Sequence, residues 1–306
     1  MGTITRSAHP SALWPGIKAW FGLNYKEMPK AYEAYFQMET SDKAYEEIAE
    51  AYGFGLAAVK AEGASIQYDS DGEGSKTRFT NKTYGLGYIV TREAIEDNQY
   101  KTLSERRAME LARSMNATKC IVHANILNRG FSGSYVGGDG VALFSNGHPA
   151  ASGTNQSNLL TAADLSEAGL EAAATSIMLM ENSRGIKIGA KPKTLIIHPS
   201  EWANAVRILD SDLQSGAKTD TTNTNNVNAL KVKGIVDQVV MDPYLTDTDA
   251  WFLTTDIPYG LLSFQRRALE FKQDNDFDTE NAKAKATERY VPGWADWRGV
   301  YGSAGA

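Results

Sequence analysis

The 306-residue chain has a single cysteine, four histidines, no stretch of 18 apolar residues and no surplus of basic side chains. One cysteine excludes an intramolecular disulfide framework, and Cys120, inside a helical pattern, reads as an apolar filler rather than a nucleophile. His9, His123, His148 and His198 are too scattered to place two on one helical face as metal ligands, and neither HExxH nor Gly-x-Ser-x-Gly occurs. His148, beside Pro149 in a loop, is the residue best suited to chemistry, and a structural role is the simpler reading even there. No catalytic, cofactor-binding or metal-binding residue is assigned. With 31 Lys and Arg against 37 Asp and Glu, the net charge is −6. That argues against a protein whose main business is gripping nucleic acid through a basic face. Lacking a basic-then-apolar leader and any spanning run, the chain is expected to be soluble, made in a cytoplasm and free of membrane contact.

Three loose motifs fail on inspection. Gly53-Phe-Gly55-Leu-Ala-Ala58 has a dinucleotide-like spacing, but it follows a helical pattern and precedes a strand pattern, the reverse of what pyrophosphate binding requires. Gly72 to Thr77 lacks the adjacent Gly-Lys pair of a phosphate loop. The acidic runs beginning at Asp69 and Asp274 have Thr80 and Lys285 where a calcium loop needs a bidentate glutamate, so both read as turns.

What the chain does have is length and pattern. From Trp14 it is dense in aromatics, among them Trp20, Phe21, Tyr25, Tyr32, Tyr35 and Phe36, broken by Gly, Pro and Asn. This reads as an extended arm lying on another surface, either its own domain or a partner. Ala44 to Tyr52 reads as a short helix. Ala57 to Tyr68 and Thr77 to Val90 read as two strands of a long hairpin turning over Asp69 to Lys76. The hairpin has too few apolar residues to bury itself and must lie along its own body or a neighbour. After a short helix near Thr91, the stretch from Thr102 to Gly130 is the organising element. A capping box at Thr102 and Glu105 opens it, and Leu103, Ala108, Leu111, Met115, Val122 and Ile126 form its stripe. Gly130 closes a helix about 40 Å long.

Phe131 to Leu160 is an irregular crossing. Thr161 to Asn182 then predicts a helix, Lys193 to His198 a buried strand and Ser200 to Leu213 a helix, together a mixed α/β lobe. Gly216 to Asn228 is a polar loop, Gly234 to Val240 and Ala250 to Thr254 are strands, and Leu261 to Lys272 pairs antiparallel with Ala282 to Val291. The fold class is α+β.

The order of these pieces resembles the tailed-phage major capsid proteins of the Hong Kong ninety-seven coat fold, and within them the Mu-like major head subunit family. The residues carrying it are Asp139-Gly140 with Leu143-Phe144 and His148-Pro149, then Asp242 to Asp247 with Trp251-Phe252-Leu253, and Asp276 to Thr279. Glu288-Arg-Tyr290, Trp294 and Asp296 to Gly302 complete the set. The resemblance implies an N-terminal arm (1–53), an extended hairpin loop (54–92), a peripheral domain with the spine helix (93–159), an axial domain (160–260) and a return to the peripheral domain (261–306). It implies hexamers and pentamers closing into an icosahedral shell around double-stranded DNA held by nonspecific contact, with portal, scaffold or head-completion proteins as partners and no cofactor or catalysis. Trp14, Trp20, Phe21 and Tyr25 of the arm, and Lys60, Asp71, Lys76 and Arg78 of the hairpin, are the candidate subunit-interface residues. No lysine–asparagine cross-link pair and no cleavage signal is assigned. The competing readings are a cellular nanocompartment shell of the same fold and a soluble α/β enzyme using His148.

Overall fold

The computed structural model describes residues 21, 28–91, 93, 100–213, 227–276 and 281–306, with the side chains of 100–105 and 275 left aside. Its longest element is α1 (Tyr100–Asn128). Ala108, Leu111, Ala112, Met115, Cys120, Ala124 and Leu127 are buried along one face, and so are Asn116, Lys119 and His123. This is the i, i+3, i+4, i+7 spacing of a helix lying on a sheet. The helix has already formed at Tyr100, two residues ahead of the expected cap at Thr102. Past its end, a Cβ at Gly130 would lie 2.5 Å from the Phe144 ring, so only glycine permits the approach. Arg129 lies 4.8 Å over the Tyr135 ring.

β1 (Gln37–Thr40), β2 (Tyr45–Ala51), β3 (Glu73–Thr80) and β4 (Lys82–Val90) precede this helix. α2 (Glu167–Met178), β5 (Pro192–Ile197), α3 (Trp202–Asp210), α4 (Ala229–Lys233), β6 (Gln238–Met241), β7 (Trp251–Thr255), β8 (Leu261–Asn275), β9 (Ala282–Trp294) and β10 (Val300–Ser303) follow it. The first sheet has the order β1-β8-β9-β4. β9 alternates: Ala282, Ala284 and Ala286 are buried beneath Ala108, Leu111, Ala112 and Met115 of α1, whereas Lys283 and Lys285 face solvent. Small side chains there let helix and sheet approach closely. A buried polar bridge fixes the same contact. Lys119 Nζ donates to Glu288 Oε1 at 2.5 Å and to Gln265 Oε1 at 2.8 Å, tying α1 to β9 and β8. Such a pair contributes register more than net stability.

The second sheet has the order β10-β7-β5-β6, flanked by helices. Ser166 caps α2 by accepting from the Gly169 N–H, which is why that helix starts six residues later than Thr161. Both sheets share a core in which Tyr32, Tyr35, Phe36, Leu127 and Phe144 meet Ile196, Phe252, Trp297 and Val300. The chain passes between the sheets twice at one point. There Gly260 and Gly299 face each other so closely that a Cβ on Gly299 would lie 2.2 Å from Gly260 Cα.

Two expectations are corrected. Ala44 to Tyr52 is not a helix: its alanine and glutamate favour one, but Tyr45–Ala51 forms β2, alternates in burial and pairs antiparallel with β3. Tertiary pairing overrides intrinsic propensity. The hairpin is correspondingly displaced. Residues 52–72 carry neither strand nor helix, β3 begins inside the expected turn, and β4 leaves the ribbon at Asn81 to pair with β9 from Lys82↔Tyr290 to Val90↔Ala282. Asn81 holds that switch, its amide donating to Ser41 Oγ and the Lys43 carbonyl, each at 3.1 Å. The expected short helix near Thr91 and most of the polar loop from Gly216 lie outside the described residues.

Candidate assembly surface

The ribbon of β2 and β3 carries a long loop at its far end. In that loop Phe54, Leu56, Val59, Ile66 and Tyr68 are exposed, Val59 completely and Tyr68 to 91%. Its turns are held by carboxylates accepting from backbone amides: Asp69 from Gly55 at 2.7 Å, and Asp71 from Gly53 at 3.0 Å. The hydrogen bond from Gly55 is the main reason the Asp69 carboxyl is held below its usual range. Bare apolar side chains from Phe54 to Tyr68 are thus followed by tethered carboxylates at Asp69 and Asp71, which pin the returning end of the loop to its start. An exposed cluster of this kind makes the loop a candidate interaction surface.

The ribbon itself lies on its own subunit. Phe79 is buried with Leu262 and Phe264, its ring meeting Phe264 edge-on at 5.1 Å. Farther out, a Cβ at Gly138 would sit 2.4 Å from the Lys76 carbonyl oxygen, so the ribbon runs over bare backbone. At the loop, Arg184 Nη2 donates to the Ser70 carbonyl at 2.6 Å and Nη1 lies 3.6 Å from Asp69.

Of the sequence-predicted interface residues, Lys60, Asp71, Lys76 and Arg78 are all exposed on this ribbon and its loop. Lys76 pairs with Glu73 at 3.0 Å, a contact that raises its pKa, and Arg78 lies 3.6 Å over the Tyr45 ring and 3.7 Å from Glu47. Phe21 is instead buried in its own subunit, stacked on Phe271 at 4.7 Å. Trp14, Trp20 and Tyr25 lie outside the described residues.

His148 is completely buried and stacked on Trp297, ring centroids 4.3 Å apart. Its Nδ1 meets Asp139 Oδ2 at 2.6 Å and its Nε2 meets Asn158 Oδ1 at 3.1 Å. Asn158 Nδ2 in turn donates to the carbonyls of Leu143, Trp297 and Val300. This network stitches the irregular crossing to the C-terminal segment and gives His148 a structural role. Burial pushes the Cys120 thiol up to about 11. Among the described residues no group of His, Cys, Asp or Glu is arranged to hold a metal ion, and no helix is long and apolar enough to cross a membrane.

A second apolar surface escaped the sequence reading. Trp202 and Val206, one turn apart on α3, are 57% and 47% exposed, and Val232 of α4 is 73% exposed. An i, i+4 apolar pair on a helix has the same spacing whether it faces the core or solvent, so the spacing alone could not show this exposure.

Comparison with known proteins gives a family and a fold. A family model described as "Phage capsid protein" matches residues 74–303, about three quarters of the chain. No curated protein matches it. Among solved structures, one from Mycobacterium phage Patience has a TM-score of 0.56 at 11% identity, covering 98% of this chain and 90% of that one. A virus-like particle from Pyrococcus furiosus gives 0.54 at 10% identity, covering 94% and 97%. The procapsid of bacteriophage JBD30 gives 0.53 at 16% identity, covering 98% and 76%. At such identities the likeness is one of fold, the Hong Kong ninety-seven coat fold.

Proposed function

We propose a function from one premise: the chain belongs to the phage capsid protein family. On that basis it is the major head subunit of a tailed double-stranded DNA phage, many copies closing as hexamers and pentamers into the icosahedral shell of the virion. The observation that carries this is the ribbon, whose loop holds five large apolar side chains in solvent on a stem fixed to the body. A neighbouring subunit would cover them, and many such modest contacts sum to a stable closed shell.

In this reading residues 1–53 are the arm, 54–92 the extended loop, 93–159 and 261–306 the peripheral domain, and 160–260 the axial domain. The Asp242 to Asp247 and Asp296 to Gly302 strings support placement in the Mu-like branch. Assembly takes place in the cytoplasm of a bacterial host with portal, scaffold or head-completion proteins. Contact with packaged DNA is nonspecific, in keeping with the net charge of −6. Shell building requires no catalysis. The Pyrococcus furiosus particle resembles this chain about as well as the phage structures do, so fold does not separate a genome shell from other shells; the family model favours the phage reading.

The test is to replace residues 54–70 by a short Gly-Ser turn, which spares β2 and β3. Removing Asp69 to Lys76, the turn expected from the sequence, would cut into β3. The variant subunit should melt like the parent yet form no shells by light scattering and electron cryomicroscopy. Normal shells from it would sink the assignment of the loop.

A further inference from the structure

Arg298, 3% exposed, lies outside the surfaces described above. Its backbone is fixed in the body: its N–H donates to Asp296 Oδ1 at 2.9 Å, and Thr255 Oγ1 donates to its carbonyl at 2.8 Å. From there the guanidinium gathers four elements. Nη1 donates to Asp296 Oδ1 at 3.2 Å and to Glu50 Oε1 at 2.9 Å; Nη2 donates to Ser183 Oγ at 2.7 Å and to Gln156 Oε1 at 3.3 Å. The Ser183 hydroxyl in turn donates to Glu50. Of these partners only Glu50 belongs to the ribbon; the others come from the irregular crossing, the loop after α2 and the turn before β10. Two carboxylates thus share one guanidinium, and burial pushes the Asp296 carboxyl up, with Glu50 adding to the effect.

We infer that Arg298 is a positioning residue for assembly, fixing through Glu50 the angle at which the ribbon offers residues 52–72 to a second copy of the chain. This rests on the coat-subunit reading. The partners are unequal in what their loss does. Without the Arg298 guanidinium, two half-buried carboxylates lose the cation they share, one of them in the body itself, so the body is damaged too. Without Glu50, Arg298 keeps Asp296, Ser183 and Gln156, and only the ribbon loses a tether, while Phe79 and Arg184 still hold its two ends.

Glu50→Ala in the full chain is therefore the informative variant, with Glu50→Gln, which retains an acceptor oxygen without the charge, beside it. In Glu50→Ala, hydrogen exchange at residues 45–51 and 73–80 should quicken by about tenfold, the scale of one lost charge-assisted hydrogen bond, while α1 stays protected. Shells should become scarce or irregular, with Glu50→Gln intermediate. Unchanged ribbon exchange in Glu50→Ala would overturn the inference, and so would faster exchange with normal shells. If the parent chain also forms no shells, the coat-subunit reading fails, and the assembly role with it, whatever the exchange data show.

Discussion

Acidification from pH 7 to pH 5 should destabilise this subunit through His123 alone by about 2 kcal/mol. The ring is fully buried, 4.0 Å from the Tyr32 ring and edge-on to Phe36 at 5.0 Å. Nδ1 meets the Lys119 carbonyl at 2.7 Å and donates to it; Nε2 accepts from the Ser263 hydroxyl at 2.8 Å. Burial pushes its pKa from 6.5 down to about 3, and the nearby Lys119 ammonium pushes the same way. Between those two values the unfolded chain binds a proton that the folded chain refuses. The contribution of His123 is therefore complete above pH 6.5 and is lost as the pH falls toward 3. Integrating one-proton linkage from pH 7 to 5 gives about 2 kcal/mol, and a folded-state value one unit higher would alter this by less than about 0.1. The assay is urea unfolding of the parent and of His123→Asn, whose amide can still donate to the Lys119 carbonyl but does not titrate. The stability gap between them should shrink by about 2 kcal/mol on going to pH 5. Parallel pH dependences for the two proteins would refute the reasoning.

Gly299→Ala, which brings a Cβ to 2.2 Å from Gly260 Cα, should cost about 3 kcal/mol in thermal unfolding. Gly133→Ala, with nothing within 4 Å of the new Cβ, should stay within about 0.5 kcal/mol and serves as its control. Cys120, its thiol pushed up to about 11 by burial, should resist an aromatic disulfide reagent at pH 8 and react in denaturant no faster than the protein unfolds; prompt native-state reaction would show the helix face to be open.

The parts of the fold legible in the sequence were those whose pattern is set by their own neighbours in the chain. α1 showed its period because neither Gly nor Pro interrupts it, and β8 and β9 showed theirs because Ala282 to Ala286 alternates small apolar with lysine. β2 was misread because glutamate and alanine favour helix, and its pairing with β3 depends on residues about 30 positions away. The polar interior was harder still. Asn158 and Val300 are 142 residues apart, and nothing in the composition around either distinguishes a buried amide from a surface one. Arg298 lies within the Asp296 to Gly302 string, yet its partner Glu50 is 248 residues away. Of the candidate surface, the hairpin's inability to bury itself was legible from how few large apolar residues its strands carry, whereas the exposure of Trp202 and Val206 was not.

The strand order of the first sheet carries a consequence for the timing of synthesis. β1 and β4 are made early but do not touch; β8 and β9, made some 200 residues later, lie between them. A chain still emerging from the ribosome therefore holds two strands waiting for a middle, with the anchor for Glu50 and the last strand of the second sheet later still. Long-range pairing of this kind is slow and leaves edges open while it waits. The first sheet cannot close before β9 has been made, nor the second before β10, so a half-made subunit lacks the body on which its ribbon rests and has no fixed surface to offer a neighbour.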